Sequence, residues 1–320
     1  MKTEAIWYLG ESKIELRDLE IPEPGPDEVI VAMETCGICA WDVLAFDGRF
    51  AKYHPYPFCA GHEGVGRVIE AGPKVRAVKV GQRVALYELP IGTPGGALLA
   101  RHALRSEREV AVIPEGPLPV HLWIVEPVAC VVNGLLYAGI QPGDRVAVVG
   151  AGYMGLLFVQ GLRRSLTGCI TAFDVDSRRL ELAQQLGADE TVLLKAAGAP
   201  ERTRGFFDIA IDLAGTPESM RTVMEIVRPG GIIENFAWHH HTQTFDLDDW
   251  TVKGWRILNI QPQMNPHFGD LFPRSISLMA NGTLSNDKLV THVEKIEKAP
   301  RIFAAAAEKT GGYMKGAITF

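Results

Sequence analysis

The stretch Arg145-Val-Ala-Val-Val-Gly150-Ala151-Gly152-Tyr153-Met154-Gly155 decides how the rest of this sequence is read. A short apolar run suits a strand covered on both faces, and the glycines that follow have GxGxxG spacing directly before a helix-length apolar segment. Glycines there let the backbone turn tightly and approach a pyrophosphate, which the free amides and dipole of the helix N-terminus stabilise. Gly150, Gly152 and Gly155 are therefore candidate cofactor-binding residues, with Tyr153 and Met154 between them. Asp174 ends the next apolar run, CITAFD, 19 residues after Gly155. A carboxylate so placed can accept hydrogen bonds from both hydroxyls of an adenosine ribose, which favours NAD over NADP. Arg178 and Arg179 lie close by. Arg179 is a further candidate for cofactor contact, although a 2′-phosphate would meet the charge of Asp174.

Outward from this unit, apolar runs alternate with helix-length segments: RVAVVG, CITAFD, ETVLL, FDIAIDLAG, GGIIENFAW and WRILNI. Such alternation implies right-handed βαβ units and a parallel sheet covered on both faces. Asp176 or Ser177 caps RRLELAQQL before Gly187 stops it, and Thr216-Pro217 opens ESMRTVMEIV. The N-terminal third reads differently, as short strand-like runs broken by Pro and Gly, which predicts a mostly β domain. A helix near Leu271 to Met279 and a strand-like KGAITF follow the last βα unit.

At 320 residues the chain exceeds what one core usually serves, so two domains are expected. A hydrophobic fraction of 47%, a charged fraction of 22% and a net charge of -6 describe a folded globule with no electrostatic footprint for nucleic acid or an anionic membrane. The uncharged run Val146 to Leu162 fits a strand, turn and helix better than a membrane span. No signal-peptide core opens the sequence, and five cysteines are too few, and odd in number, for a disulfide scaffold. A reducing cytoplasm and a small-molecule substrate are the expectations.

A second constellation combines Cys39, Gly61-His62-Glu63 and Glu126-Pro127. Cys36-x-x-Cys39 has no second CxxC to complete a four-cysteine zinc site. A thiolate, an imidazole and a carboxylate from separate loops would leave a fourth position open, as a catalytic zinc requires. Residue by residue, a buried thiol, a core histidine and a helix-cap acid are equally available readings.

The segment GHEGVGRVIEAGPKV, residues 61–75, resembles the zinc-binding signature of the medium-chain dehydrogenase/reductase family, the zinc alcohol dehydrogenases. The likeness runs through CGICAWD, VGQRVA, Gly95-Gly96, IVEPVAC, the cofactor unit, LVTHVEKIEK and KGAITF. It implies a GroES-like, mostly β catalytic domain over residues 1–128 and 262–320, and a doubly wound (Rossmann) NAD-binding domain over 129–261. Carried across, Cys39, His62 and Glu126 would ligate one catalytic zinc, Glu63 would be an alternative ligand, and Asp42 would hold the imidazole of His62. Lys315 would touch the cofactor pyrophosphate, and Trp41, Tyr87 and Trp238 would line the substrate pocket. Glutamate then proline at the third ligand resembles polyol and sugar dehydrogenases more than ethanol enzymes.

The implied activity is hydride transfer between NAD and a secondary alcohol, of polyol, sugar or cyclitol type, in a homodimer or homotetramer. Alternatives are a zinc-free quinone reductase of the same superfamily and an NAD(H)-binding protein without turnover. Two departures stand out. No cysteine lies between Cys59 and Cys130, and Leu89-Pro90 leads almost directly to Gly95, so the lobe for a structural zinc is missing. Trp41 occupies the place of the family's proton-passing hydroxyl, which leaves Glu63, or Glu126 through a water, to accept the proton, with His54 a weaker choice. His239, His240 and His241 read as loop residues near the nicotinamide end.

Overall fold

The structure is a computed structural model and describes residues 1–87, 97–195, 203–240 and 242–320. Leu89-Pro90, Gly95-Gly96 and His241 lie outside the described residues. The chain divides into two compact units, Met1–Ala129 with Gly269–Phe320, and Cys130–Phe268. The second crossing thus falls later than the expected 261/262. Residues up to 268 stay with the second unit, where Asn265 Nδ2 donates to Asn133 Oδ1 at 2.7 Å.

The first unit opens with β1 (Lys2–Gly10), β2 (Lys13–Glu20) and β3 (Glu28–Ile38), followed by α1 (Ala40–Phe46). Then come β4 (Phe58–Cys59), β5 (Gly64–Ala71), β6 (Arg83–Leu86), β7 (His102–Ser106) and β8 (Val110–Val112). β3 is the organising strand. Its sequence EVIVAMETCGI is almost wholly buried, and it pairs antiparallel with β5 along most of its length and with β7. Val29, Val31 and Met33 feed a core shared with Phe46, Phe50 and Phe58. Helix α2 (Glu126–Ala138) contains the boundary between the units. The stretch Val120–Ala138 is apolar and long enough on composition to cross a membrane, but 67% of its window is buried inside the protein.

The second unit follows the alternation in the sequence: β9 (Arg145–Val149), α3 (Tyr153–Arg163), β10 (Cys169–Asp174), α4 (Ser177–Leu186) and β11 (Glu190–Leu193). It continues with β12 (Phe207–Asp212), α5 (Pro217–Ile226), β13 (Val227–Asn235), α6 (Leu247–Lys253) and β14 (Arg256–Asn259). All pairs are parallel, in the order β11-β10-β9-β12-β13-β14. Helix starts are capped as the sequence indicates. Asp176 accepts from Arg178 N, and Thr216 accepts from Ser219 N with proline in the first turn.

The chain then returns to the first unit through α7 (Leu271–Ala280), β15 (Val290–Lys295), α8 (Ala299–Glu308) and β16 (Lys315–Thr319). β16 lies between β15 and β3, antiparallel to β3, with Gly316 opposite Ile38. That register brings Lys315 to the end of β3, where Cys39 begins.

Candidate active site

Cys39 follows β3 in an extended conformation and caps α1. Asp42, fully buried one turn on, accepts the Cys39 backbone N–H at Oδ2 and the Tyr8 hydroxyl at Oδ1, both at 2.8 Å. The sequence assigned Asp42 to the imidazole of His62. Instead its two oxygens hold Cys39 and Tyr8, and its effect on His62 is one of charge. His62 and Glu63 arrive from the turn before β5. Gly61 makes that turn with φ +102, and a Cβ there would lie 2.6 Å from Leu99 N, so no other residue fits.

The donor atoms of Cys39, His62 and Glu63 lie within 4.8 Å of one another. Burial opposes a charge on His62, but the adjacent Cys39 sulfur, with Asp42 and Glu126, raises its pKa well above the ordinary value. Glu126, at the start of α2, is outside the trio yet near enough for its charge to bear on the same ring. Sulfur, nitrogen and carboxylate oxygen together match the ligand preferences of zinc, and among the described residues no second cysteine joins the group.

Glu63 is 1% exposed, and the Lys315 ammonium lies 2.6 Å from its Oε1 and 2.5 Å from its Oε2. Lys315 is itself 4% exposed, so the two form a buried ion pair. Gly37 makes room for this pair: a Cβ at that position would stand 1.9 Å from Glu63 Oε2. Any proton passed to Glu63 must therefore reach a carboxylate already engaged by a cation.

In the second unit the three glycines of the GxGxxG turn have three distinct jobs. Gly150 has φ +104 and abuts Ala214 N, while a Cβ on Gly155 would lie 1.9 Å from Gly150 O. Around Gly152 a Cβ would meet nothing within 4 Å. This is the one glycine facing open space, at the cap of α3, where a phosphate can approach the helix amides. Tyr153 is buried and Met154 half-buried in the first turn. Asp174 is 5% exposed; Ala151 N donates to its Oδ2 at 2.7 Å and Asp176 N to its Oδ1 at 2.9 Å, with Arg179 3.8 Å from Oδ2. Asp174 thus ties the glycine turn to the end of β10. Arg178 is drawn to Asp176, whose pKa its hydrogen bonds pull down to about 2.

Two family models match this chain, the alcohol dehydrogenase GroES-like domain over residues 25–115 and the zinc-binding dehydrogenase over residues 154–271. The chain belongs to the zinc-binding alcohol dehydrogenase family. It is 31% identical to a probable zinc-binding alcohol dehydrogenase of Mycobacterium tuberculosis, over 90% of this chain and 81% of that one. Identity to the (R,R)-butanediol dehydrogenase of Bacillus subtilis is 28%, over 90% of both chains. A crystal structure of a putative zinc-binding dehydrogenase from Sinorhizobium meliloti bound to NADP superimposes with a TM-score of 0.87 over 100% of both chains, at 26% identity.

Against the zinc dehydrogenase pattern, the three residues expected in a substrate pocket fare differently. Trp41 stands beside the donor trio, its ring 5.9 Å from that of His62 and edge-on, and it leans on Phe50 at 4.4 Å. Tyr87 is half-buried. Its ring packs on Phe272 at 4.4 Å and its hydroxyl donates to the Arg108 carbonyl, with burial pushing its pKa up to about 12. Trp238 is 48% exposed and stacks on His240 in the second unit. His54 contacts Phe58 and its own neighbouring carbonyl, Pro55 O. Tyr8 and Gly37, which secure Asp42 and Glu63, went unnoticed in the sequence because an isolated tyrosine and an isolated glycine carry no motif.

Proposed function

We propose that the protein oxidises a secondary alcohol of the diol or polyol class to a ketone, using one zinc held by Cys39 and His62 with Glu126, and NAD held at the Gly150–Gly155 turn. The observation that carries this reading is the gathering of the Cys39 thiol with the His62 imidazole and the Glu63 carboxylate within 4.8 Å by two separate segments of one unit, with the charge of Glu126 bearing on the same imidazole. When bound, zinc supplies a Lewis acid to the alcohol oxygen and NAD supplies the hydride acceptor. Asp42 fixes the Cys39 backbone so that the thiol points to His62. Lys315 holds Glu63 as a fixed negative charge beside Cys39 and His62, leaving Glu126 as the third ligand. Trp41 covers one edge of His62 and has only an N–H to donate, so it shields the site without passing a proton.

The diol or polyol class rests on the Glu126-Pro127 pair and on the butanediol dehydrogenase relative. The NAD preference rests on Asp174, whose carboxylate would repel a 2′-phosphate. The test is NADH formation across a panel of vicinal diols, sugar alcohols and cyclitols, with NADP run in parallel. Turnover lost in His62→Ala together with its zinc supports the reading. Activity that survives complete zinc removal favours the zinc-free reductase instead.

A further inference from the structure

Neither of the described histidines after β13, His239 and His240, belongs to the donor trio, yet the first of them is built into the end of the cofactor sheet. Asp212 closes β12 and is fully buried. Its Oδ1 accepts the N–H groups of Ala214 and Gly215 at 3.1 and 3.2 Å, and its Oδ2 lies 2.9 Å from His239 Nε2. A proton on Nε2 would avoid two facing lone pairs in this close contact, whose angle is not that of a hydrogen bond. The other ring nitrogen, Nδ1, is 2.9 Å from Gln243 Nε2, whose amide then donates to it. The backbone follows the same path, because Phe236 N and Ala237 N both donate to the Asp212 carbonyl, at 3.2 and 2.9 Å.

The position of this cluster gives it a use. In the strand order, β9 and β12 are neighbours from which the chain winds away in opposite directions, and a dinucleotide lies in the crevice at the carboxyl ends of such a pair. Those ends are in contact here. A Cβ on Gly150 would be 2.9 Å from Ala214 N, and one on Gly215 would be 3.0 Å from Trp238 O. Asp174 stands on the β10 side, the adenosine side in the reading above, which leaves the β12–β13 side for the nicotinamide half.

We propose that Asp212, His239 and Gln243 form a latch that fixes residues 236–240 as the crevice wall for the nicotinamide half of the cofactor, with His239 a positioning residue. This rests on the dinucleotide reading above. The experiment compares NADH and ADP-ribose binding, by fluorescence and calorimetry, in wild type, His239→Ala, His239→Gln and Gln243→Ala. Loss of the contact with the buried Asp212 carboxylate should weaken NADH about tenfold in His239→Ala, and loss of the Gln243 hydrogen bond to the ring about threefold in Gln243→Ala, with ADP-ribose unchanged in both. His239→Gln retains an N–H for Asp212 and should bind NADH nearly as wild type does. Unchanged NADH affinity in both alanine variants, or equal weakening of NADH and ADP-ribose alongside a lowered Tm, overturns the latch. Wild type that binds neither nucleotide overturns the dinucleotide reading itself, a different result from either.

Discussion

Glu63 and Lys315 stand 252 positions apart in the sequence and 2.5 Å apart in space, both buried in the β-rich unit. Neither charge has water to fall back on, so each depends on the other. Lys315→Met should leave an uncompensated carboxylate and cost about 3–5 kcal/mol of stability. The double variant Glu63→Gln, Lys315→Met should recover most of that loss in urea denaturation. Losses that simply add would show that the pair is not coupled.

The donor trio leads to a metal prediction. Purified protein should hold about one zinc per chain, since a single cysteine, histidine and glutamate set serves one catalytic ion. A chelator should lower Tm in wild type, because a ligand bound only to the folded state stabilises it by mass action. In His62→Ala the chelator should shift nothing. Two zincs per chain by elemental analysis, or none in protein never exposed to chelator, would contradict this account.

The GxGxxG turn separates binding from folding. Gly152→Ala adds a methyl where nothing lies within 4 Å, so Tm should hold while NADH affinity drops, the methyl standing in the approach of the pyrophosphate. Gly155→Ala drives a methyl to 1.9 Å from Gly150 O and should lower Tm or abolish soluble expression. If Gly152→Ala binds NADH as tightly as wild type, the phosphates do not lie there.

Glu234, in β13, makes stability depend on pH. Its carboxyl is 0% exposed with neither oxygen partnered, and a Cβ on Gly134 would lie 2.7 Å from one of them. Burial pushes its pKa from 4.5 up to about 8. The folded state therefore keeps a proton that the unfolded chain gives up, and the contribution is fully present below pH 4.5 and lost as pH rises through 8. Over that window Glu234 should remove a few kcal/mol. Glu234→Gln cannot ionise, so its urea midpoint should decline less between pH 5 and 8 than that of wild type; parallel profiles would sink the assignment.

Local pattern carried much of this molecule and long-range register carried the rest. The Rossmann unit was readable because its strands and helices are periodic, bounded by Gly187 and Pro217, and hinged on one glycine turn. Cys39, His62 and Glu63 were readable as chemistry, and β3 and β5 are adjacent enough for the structure to gather them. The ion pair of Lys315 was not legible because nothing near it in sequence announces Glu63; only the pairing of Gly316 with Ile38 puts it there. The packing of Tyr87 was hidden for the same reason, since its partners Arg108 and Phe272 come from distant segments. The Asp212–His239 contact spans two strand ends, and no single-strand pattern encodes it.

The placement of β16 against β3 also imposes an order of events as the protein folds. Thr35 Oγ1 donates to Ile318 O across 283 positions, whereas the second unit is one continuous segment whose strands close over short crossovers. Closing so long a loop is entropically costly while its interior is still a random chain, and non-local pairing is slow to nucleate. The nested unit, once compact, shortens the gap its flanks must bridge. Glu63 therefore waits for its counter-charge until the cofactor sheet has formed, and a lesion in the Rossmann core would reach the metal site kinetically, as delayed acquisition of zinc, without touching any ligand.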